Sequence, residues 1–194
     1  MSPTFRPRLA QRGSSLIEVL VTLLILMLGL LGLVGLMMQS QRSQMESYQR
    51  VQALVVLQDM VNRINTNRKA APCYVITTTT SGTPYLGTGS TLTPACAVGT
   101  TTQKAQALRD LTEWNSLLLG SAEKTGSVDV GTMLGARGCI SVDAAGVYQV
   151  SVVWQGNGPT VAPNAMVTCG KDLYGVEAQR RAITLPVQIV DLSS

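Results

Sequence analysis

Gly13-Ser14-Ser15-Leu16-Ile17-Glu18-Val19-Leu20 opens an apolar run that continues to Met38, and its reading decides the fold. From Val19 to Met38 the only polar side chain is Thr22. That stretch has the length needed to cross a hydrocarbon core of roughly 30 Å at about 1.5 Å per residue. Glu18 stands at its entrance. A charge at mid-bilayer costs roughly 2.5–3.5 kcal/mol on insertion scales, so an acid built into a lipid-ready segment reads as functional. An acid kept hydrated at the interface is the plainer alternative.

Working outward toward the N-terminus, Arg6, Arg8 and Arg12 precede the run. Basic residues on this flank hold the N-terminus in the cytoplasm and send the rest of the chain to the periplasm. A conventional secretory signal fits less well. The run is long for such an apolar region, and no A-x-A-like site follows Met38. Within the run Gly29, Gly32 and Gly35 recur at every third residue. Small residues let neighbouring membrane helices approach closely, and they also weaken a helix by up to about 1 kcal/mol each relative to Ala.

The arrangement resembles the class III signal of type IV prepilins and pseudopilins. That pattern is a short basic leader ending in Gly, a cut after the Gly, and a Glu fifth in the mature chain. Here the cut falls between Gly13 and Ser14, and Glu18 is fifth; Ser14 stands where Phe or Met is usual. The resemblance implies leader removal and N-methylation by a prepilin peptidase. It also implies that Glu18 pairs with the N-terminal amine of an adjacent subunit during assembly.

Composition limits the other possibilities. The 194-residue chain suits one modest domain beyond the anchor. It has 15 Lys and Arg against 11 Asp and Glu, and without the three leader arginines the balance is close to neutral, so nothing suggests a nucleic-acid partner. No histidine is present, which removes Ser-His-Asp and Cys-His catalysis and imidazole zinc sites. No motif gathers the remaining acids, lysines and tyrosines. We therefore expect no enzyme, cofactor, metal or small-molecule substrate.

Cys73, Cys96, Cys139 and Cys169 all lie beyond the apolar run, without a CxxC pair. An even number in a compact exported domain favours disulfides over a zinc site. Of three possible connectivities the sequential one fits best, Cys73–Cys96 and Cys139–Cys169, because each pair flanks a polar, loop-like stretch.

Residues 39–68 lack Pro and Gly, and Leu54, Leu57, Val61 and Ile64 form one apolar stripe at three–four spacing. The spacing predicts one helix from about Ser14 to about Arg68, ended by Ala71-Pro72. Residues 77–102 are rich in Thr, Gly and Pro and predict loops, solvated or glycosylated. Leu108, Leu111, Trp114 and Leu118 mark an amphipathic helix over 103–119, with Trp114 as a core anchor.

Residues 138–142 and 147–154 read as a hairpin around Asp143-Ala-Ala-Gly146, a turn with too few acids for calcium. Tyr148, Val150, Val152 and Trp154 share one face. Residues 180–190 predict a last strand with Ile183, Leu185, Val187 and Ile189 on one face, and Pro186 places it at an edge or a bulge. The fold class is α+β and type IV pilin-like: a long N-terminal helix packed on a small, mainly antiparallel sheet.

The C-terminal half, through Gly138-Cys139-Ile140, Val150 to Gly156, Cys169 and Arg180-Arg181-Ala182-Ile183, resembles the PilV-type minor pilins. Four segments follow: a cleaved leader at 1–13, a transmembrane half-helix at 14–38, an amphipathic half at 39–68, and a periplasmic head at 69–194. The resemblance implies a structural subunit of the inner membrane that joins other minor pilins, the major pilin and the inner-membrane assembly machinery, and primes pilus growth at the tip. The alternatives are a minor pseudopilin of a type II secretion system, or a membrane-anchored periplasmic enzyme or binding protein.

Overall fold

The computed structural model describes residues 15–121, 124–126, 128–129 and 133–189. The chain divides into two units, residues 1–43 and 44–194.

The described part of the first unit is the opening part of α1, which as a whole runs Leu16–Thr66. Leucine-rich sequence without proline keeps the ladder unbroken. Its apolar window is entirely unburied. Thr22 Oγ1 donates to the Val19 carbonyl at 2.9 Å, so the one hydroxyl of the run is satisfied inside the helix, as an apolar solvent demands.

In the second unit, α1 buries Ala53, Val56, Leu57, Met60 and Ile64. This stripe is rotated from the predicted one. Leu57 and Ile64 are in the core and Val61 packs at its margin, but Leu54 faces outward at 39% exposure. Small Ala53 and flexible Met60 take the inner positions instead, and Met fills irregular gaps well.

The α-helix also stops before Pro72. At Asn67 the backbone turns out of the helical region (φ −116°), and a 3-10 turn, Arg68–Tyr74, carries the chain through the proline. Asn67 Nδ2 donates to the Gln103 carbonyl at 2.9 Å, which ties this exit to the next helix.

That helix, α2, spans Thr101–Leu118. It begins two residues earlier than predicted because Thr100 and Gln103 form a reciprocal capping box. Ala107, Leu111, Trp114 and Leu118 are buried on its inner face, and Leu108 is only half-buried. Trp114 is fully buried, and its indole N–H donates to the Val56 carbonyl of α1 at 2.9 Å.

The sheet consists of β1 (Leu86–Gly87), β4 (Arg137–Val142), β5 (Val147–Gln155) and β6 (Arg180–Gln188), antiparallel in the order β1-β4-β5-β6. A separate two-stranded ribbon pairs β2 (Lys124–Thr125) with β3 (Val128–Asp129). Neither the ribbon nor β1 was predicted; two-residue strands leave no periodic signal. Asp143 closes the β4–β5 hairpin, its Oδ1 accepting from the Ala145 and Val147 amides at 2.9 Å each. Pro186 sits opposite Gln149 on β6, at the edge of the sheet, where its missing N–H costs no ladder bond.

Tyr148, Val150, Val152 and Trp154 of β5 join Ile140 and Val187 in the core shared with α1 and α2. The opposite sheet face holds a second, smaller cluster of Cys139, Val153, Cys169 and Tyr174, flanked by Tyr85 and Ala182. The outer face is thus covered at the Val153 end of the sheet.

Candidate functional site

Glu18 lies in the first turn of α1, with its amide donating to the Ser15 carbonyl at 3.0 Å. A carboxylate there stands at the positive end of the helix dipole. Gly13 and Ser14 lie outside the described residues.

Beyond Glu18 the side chains stand open: Leu31 is 68% and Leu36 70% exposed. An apolar surface this long needs lipid or other apolar helices around it. A Cβ placed at Gly29, Gly32 or Gly35 would meet nothing within 4 Å. At 3.6 residues per turn, a three-residue spacing spreads these glycines over about 120° of the helix surface. They thin one broad side of α1 rather than a single seam.

In the second unit the charged groups are used as joints. Arg63 on α1 donates through Nε to Asp59 at 2.7 Å, and through Nη1 to Asp110 at 3.1 Å and Glu113 at 2.5 Å on α2. Asp110, 3% exposed, also accepts from Gln106 Nε2 at 2.8 Å and from the Tyr74 hydroxyl. Burial raises the Tyr74 phenol above its usual range, and the hydrogen bond to Asp110 adds to the rise. Burial alone would lower the Arg63 pKa, but Glu113, Asp59 and Asp110 together outweigh it and raise it. Each of these groups is bonded to another, so the cluster ties α1, α2 and the 3-10 turn together.

Two adjacent arginines of β6 do similar work on opposite faces. Arg181 Nε donates to Glu46 Oε1 of α1 at 2.5 Å, and Nη2 to the Gly158 carbonyl at 2.8 Å. Arg180, 2% exposed, pairs with Glu177 at 2.6 Å and donates from Nη1 to the carbonyls of Val167 at 2.7 Å and Cys169 at 2.9 Å. Arg137 lies between the rings of Tyr85 and Tyr174, its guanidinium 5.4 and 4.7 Å from their centroids. Sequence reasoning assigned these side chains no structural role. The signal for the first two was present: neighbouring residues of a strand point to opposite faces, so Arg180-Arg181 must serve two different layers.

The disulfides are Cys73–Cys96, with Cα atoms 4.9 Å apart, and Cys139–Cys169, 5.9 Å apart; among the described residues no cysteine is free. The pairing is the sequential one. The first fastens the 3-10 turn to the loop before α2, and the second fastens β4 to the segment between β5 and β6. Among the described residues no three Asp, Glu, Cys or His side chains are grouped to hold a metal.

Residues 8–34 match the family described as the prokaryotic N-terminal methylation motif. No curated protein and no solved structure matches the chain. The matched segment takes in Arg8, Arg12, Glu18 and the apolar run as far as Val34. The chain thus carries the class III prepilin motif of the type IV pilin and pseudopilin superfamily, a motif that prepilin peptidases process.

Proposed function

From a chain that carries the prepilin motif on an open apolar helix, we propose a minor pilin of the PilV type, a structural subunit that primes type IV pilus assembly within a tip complex. One observation carries the reading. Glu18 is fifth after Gly13, inside the matched motif, in the first turn of a helix whose apolar window is entirely unburied. Such a helix is stable in lipid or in a bundle of like helices, and a single carboxylate at its head supplies register that apolar contacts lack.

On this reading, residues 1–13 are removed, 14–38 hold the chain in the inner membrane with the N-terminus cytoplasmic, and residues from 39 onward face the periplasm. Two disulfides suit that compartment. The head supports the structural role through what its charged groups do: Arg63, Arg180 and Arg181 are committed to internal joints. Its partners are the prepilin peptidase, other minor pilins, the major pilin and the inner-membrane assembly machinery.

The test is Gly13→Val with intact-mass analysis of membrane fractions. Glycine has no Cβ, so an extended peptide lies close to a protease backbone, and valine blocks that approach. The variant is expected to accumulate as the full-length precursor, with loss of pili in a complemented null strain. Normal maturation would show that cleavage lies elsewhere. Co-purification of the wild-type chain with type II secretion pseudopilins instead of pilins would reassign the machine.

A further inference from the structure

The sheet face turned away from α1 carries a cleft of about 200 Å³ that the assembly reading does not use. Its floor is set by strand register: Ser141 lies opposite Gln149, Cys139 opposite Ser151, and Ser151 opposite Thr184. Its walls are Thr77 and Thr79 on one side, and Met166 to Cys169 on the other. Among the described residues, Asp143 is the only ionisable side chain in the lining.

The walls are fixed relative to each other. The Cys139–Cys169 disulfide joins floor to wall, and Thr168 Oγ1 donates to the Thr79 carbonyl at 2.8 Å across the cleft. Gly82 (φ +66°) passes so close to this wall that a Cβ would lie 2.1 Å from the Thr168 carbonyl oxygen. A preformed cavity loses little entropy on binding.

The lining selects a ligand class. Among the described residues no Lys or Arg borders the cleft, and a carboxylate does, so an anion is disfavoured. A divalent cation needs more oxygen ligands of charge than Asp143 alone supplies. The backbone ladders of β4, β5 and β6 are paired to one another across this floor, so the floor itself offers an added peptide strand no free ladder. What remains on offer is hydroxyl and amide. Ser151 and Thr184 share one hydrogen bond at 2.8 Å, while the Ser141 hydroxyl and the Gln149 amide make no side-chain hydrogen bond among the described residues. At the rim Met166 is 86% exposed and provides apolar surface.

We propose that this cleft binds a neutral sugar ring, with Ser141 and Gln149 hydrogen-bonding its hydroxyls and Met166 covering its C–H face. The inference does not depend on the assembly role. The ring is either a free monosaccharide or the terminus of a glycan chain.

The experiment is saturation-transfer NMR on the full chain in a zwitterionic amine-oxide detergent, because sugar-based detergents would compete. The probes are methyl glycosides of mannose, galactose, glucose and N-acetylglucosamine, together with maltotriose and chitotriose. At least one probe is expected to receive saturation at millimolar concentration. Its dissociation constant should rise about threefold to tenfold in Gln149→Leu and in Ser141→Ala, the loss of one neutral hydrogen bond each. Thr102→Ala, at the start of α2, should leave it unchanged. Response to methyl glycosides assigns a free ring; response to the trisaccharides alone assigns a chain terminus. No transfer to any probe overturns the proposal, as does transfer that is equal in wild type, Gln149→Leu and Ser141→Ala.

Discussion

Arg180 and Arg181 are neighbours in β6, yet they fasten opposite sides of the sheet. Arg181 reaches Glu46 on α1, and Arg180 reaches Glu177 and the carbonyls of Val167 and Cys169. The two-residue period of a strand makes this division automatic. One face thereby holds the helix, and the other holds the irregular segment between β5 and β6. A buried guanidinium is tolerable only with its donors occupied, so Glu177 and the two carbonyls are conditions for Arg180 lying at 2% exposure.

Acid should loosen that segment first. Burial tends to raise the Glu177 carboxyl, but Arg180 and the Asp172 amide outweigh it and hold it below the ordinary value of 4.5. A depressed folded-state pKa gives stability that is fully present above the unfolded value and is lost as pH falls through the folded one. We expect amide exchange between residues 160 and 180 to quicken below about pH 4.5 while α2 stays protected. Glu177→Gln should abolish this acid step and cost about 1.5–3 kcal/mol at neutral pH, the worth of a hydrogen bond to a charged group. Hydrogen exchange at several pH values, on wild type and variant, checks both expectations.

Gly138 is where α2 meets β4. A Cβ there would lie 2.3 Å from Trp114 Cη2 and 2.7 Å from Leu118 Cδ1. Trp114 cannot retreat, because its indole N–H is held by the Val56 carbonyl. Gly138→Ala should therefore destabilise the chain by about 1–3 kcal/mol, the usual cost of overpacking a filled core. Thermal melting measures the loss. Trp114→Phe should return part of it in the double variant by vacating the space over residue 138, and additivity of the two changes would show that they do not share the contact.

The long helix, α2, the β4–β5 hairpin and the edge position of Pro186 were legible because each repeats a period or carries a breaker over many residues. The rotation of the α1 stripe was not. Ala53 and Met60 are inner residues only because of what faces them, and composition ranks Leu54 above both. The outer cluster of Val153, Cys169 and Tyr174 was hidden for a related reason. β5 alternates correctly, but an irregular segment supplies the cover, and irregular segments have no period. Glu46–Arg181 spans 135 residues of sequence, and no local pattern encodes such a pair.

Removing the Cys139–Cys169 bridge should expose that outer cluster. The bridge closes a separation of 30 residues, worth about 3–4 kcal/mol in the chain-entropy model. Cys139→Ala with Cys169→Ala should lower the melting temperature and make the segment after Gly156 sensitive to protease. The core between α1, α2 and the sheet should survive, since Tyr148, Val150, Val152 and Trp154 do not depend on the bridge. Limited proteolysis with mass mapping reads this directly. Loss of α2 protection together with the segment would show that the two faces unfold as one.

Glu18 yields the sharpest functional expectation. It heads an apolar helix whose side chains stand open over the entire run, and under the proposed assembly role its carboxylate meets the N-terminal amine of a neighbouring subunit. Pairing in a dry environment favours one axial register, because a carboxylate left alone there is strongly unfavourable. Glu18→Ala leaves the apolar run and the cysteines intact. It should therefore insert, be cut after Gly13, and fold its head with both disulfides. Incorporation into pili or into the priming complex should nevertheless fall well below wild type, so that few pili form. Sheared pili and membrane fractions from a complemented null strain, blotted side by side, measure the two pools. Abundant processed Glu18→Ala in membranes with little in pili is the expected result. Full piliation with normal incorporation would reduce Glu18 to a hydrated acid at the membrane surface, and the register would then have to come from the head.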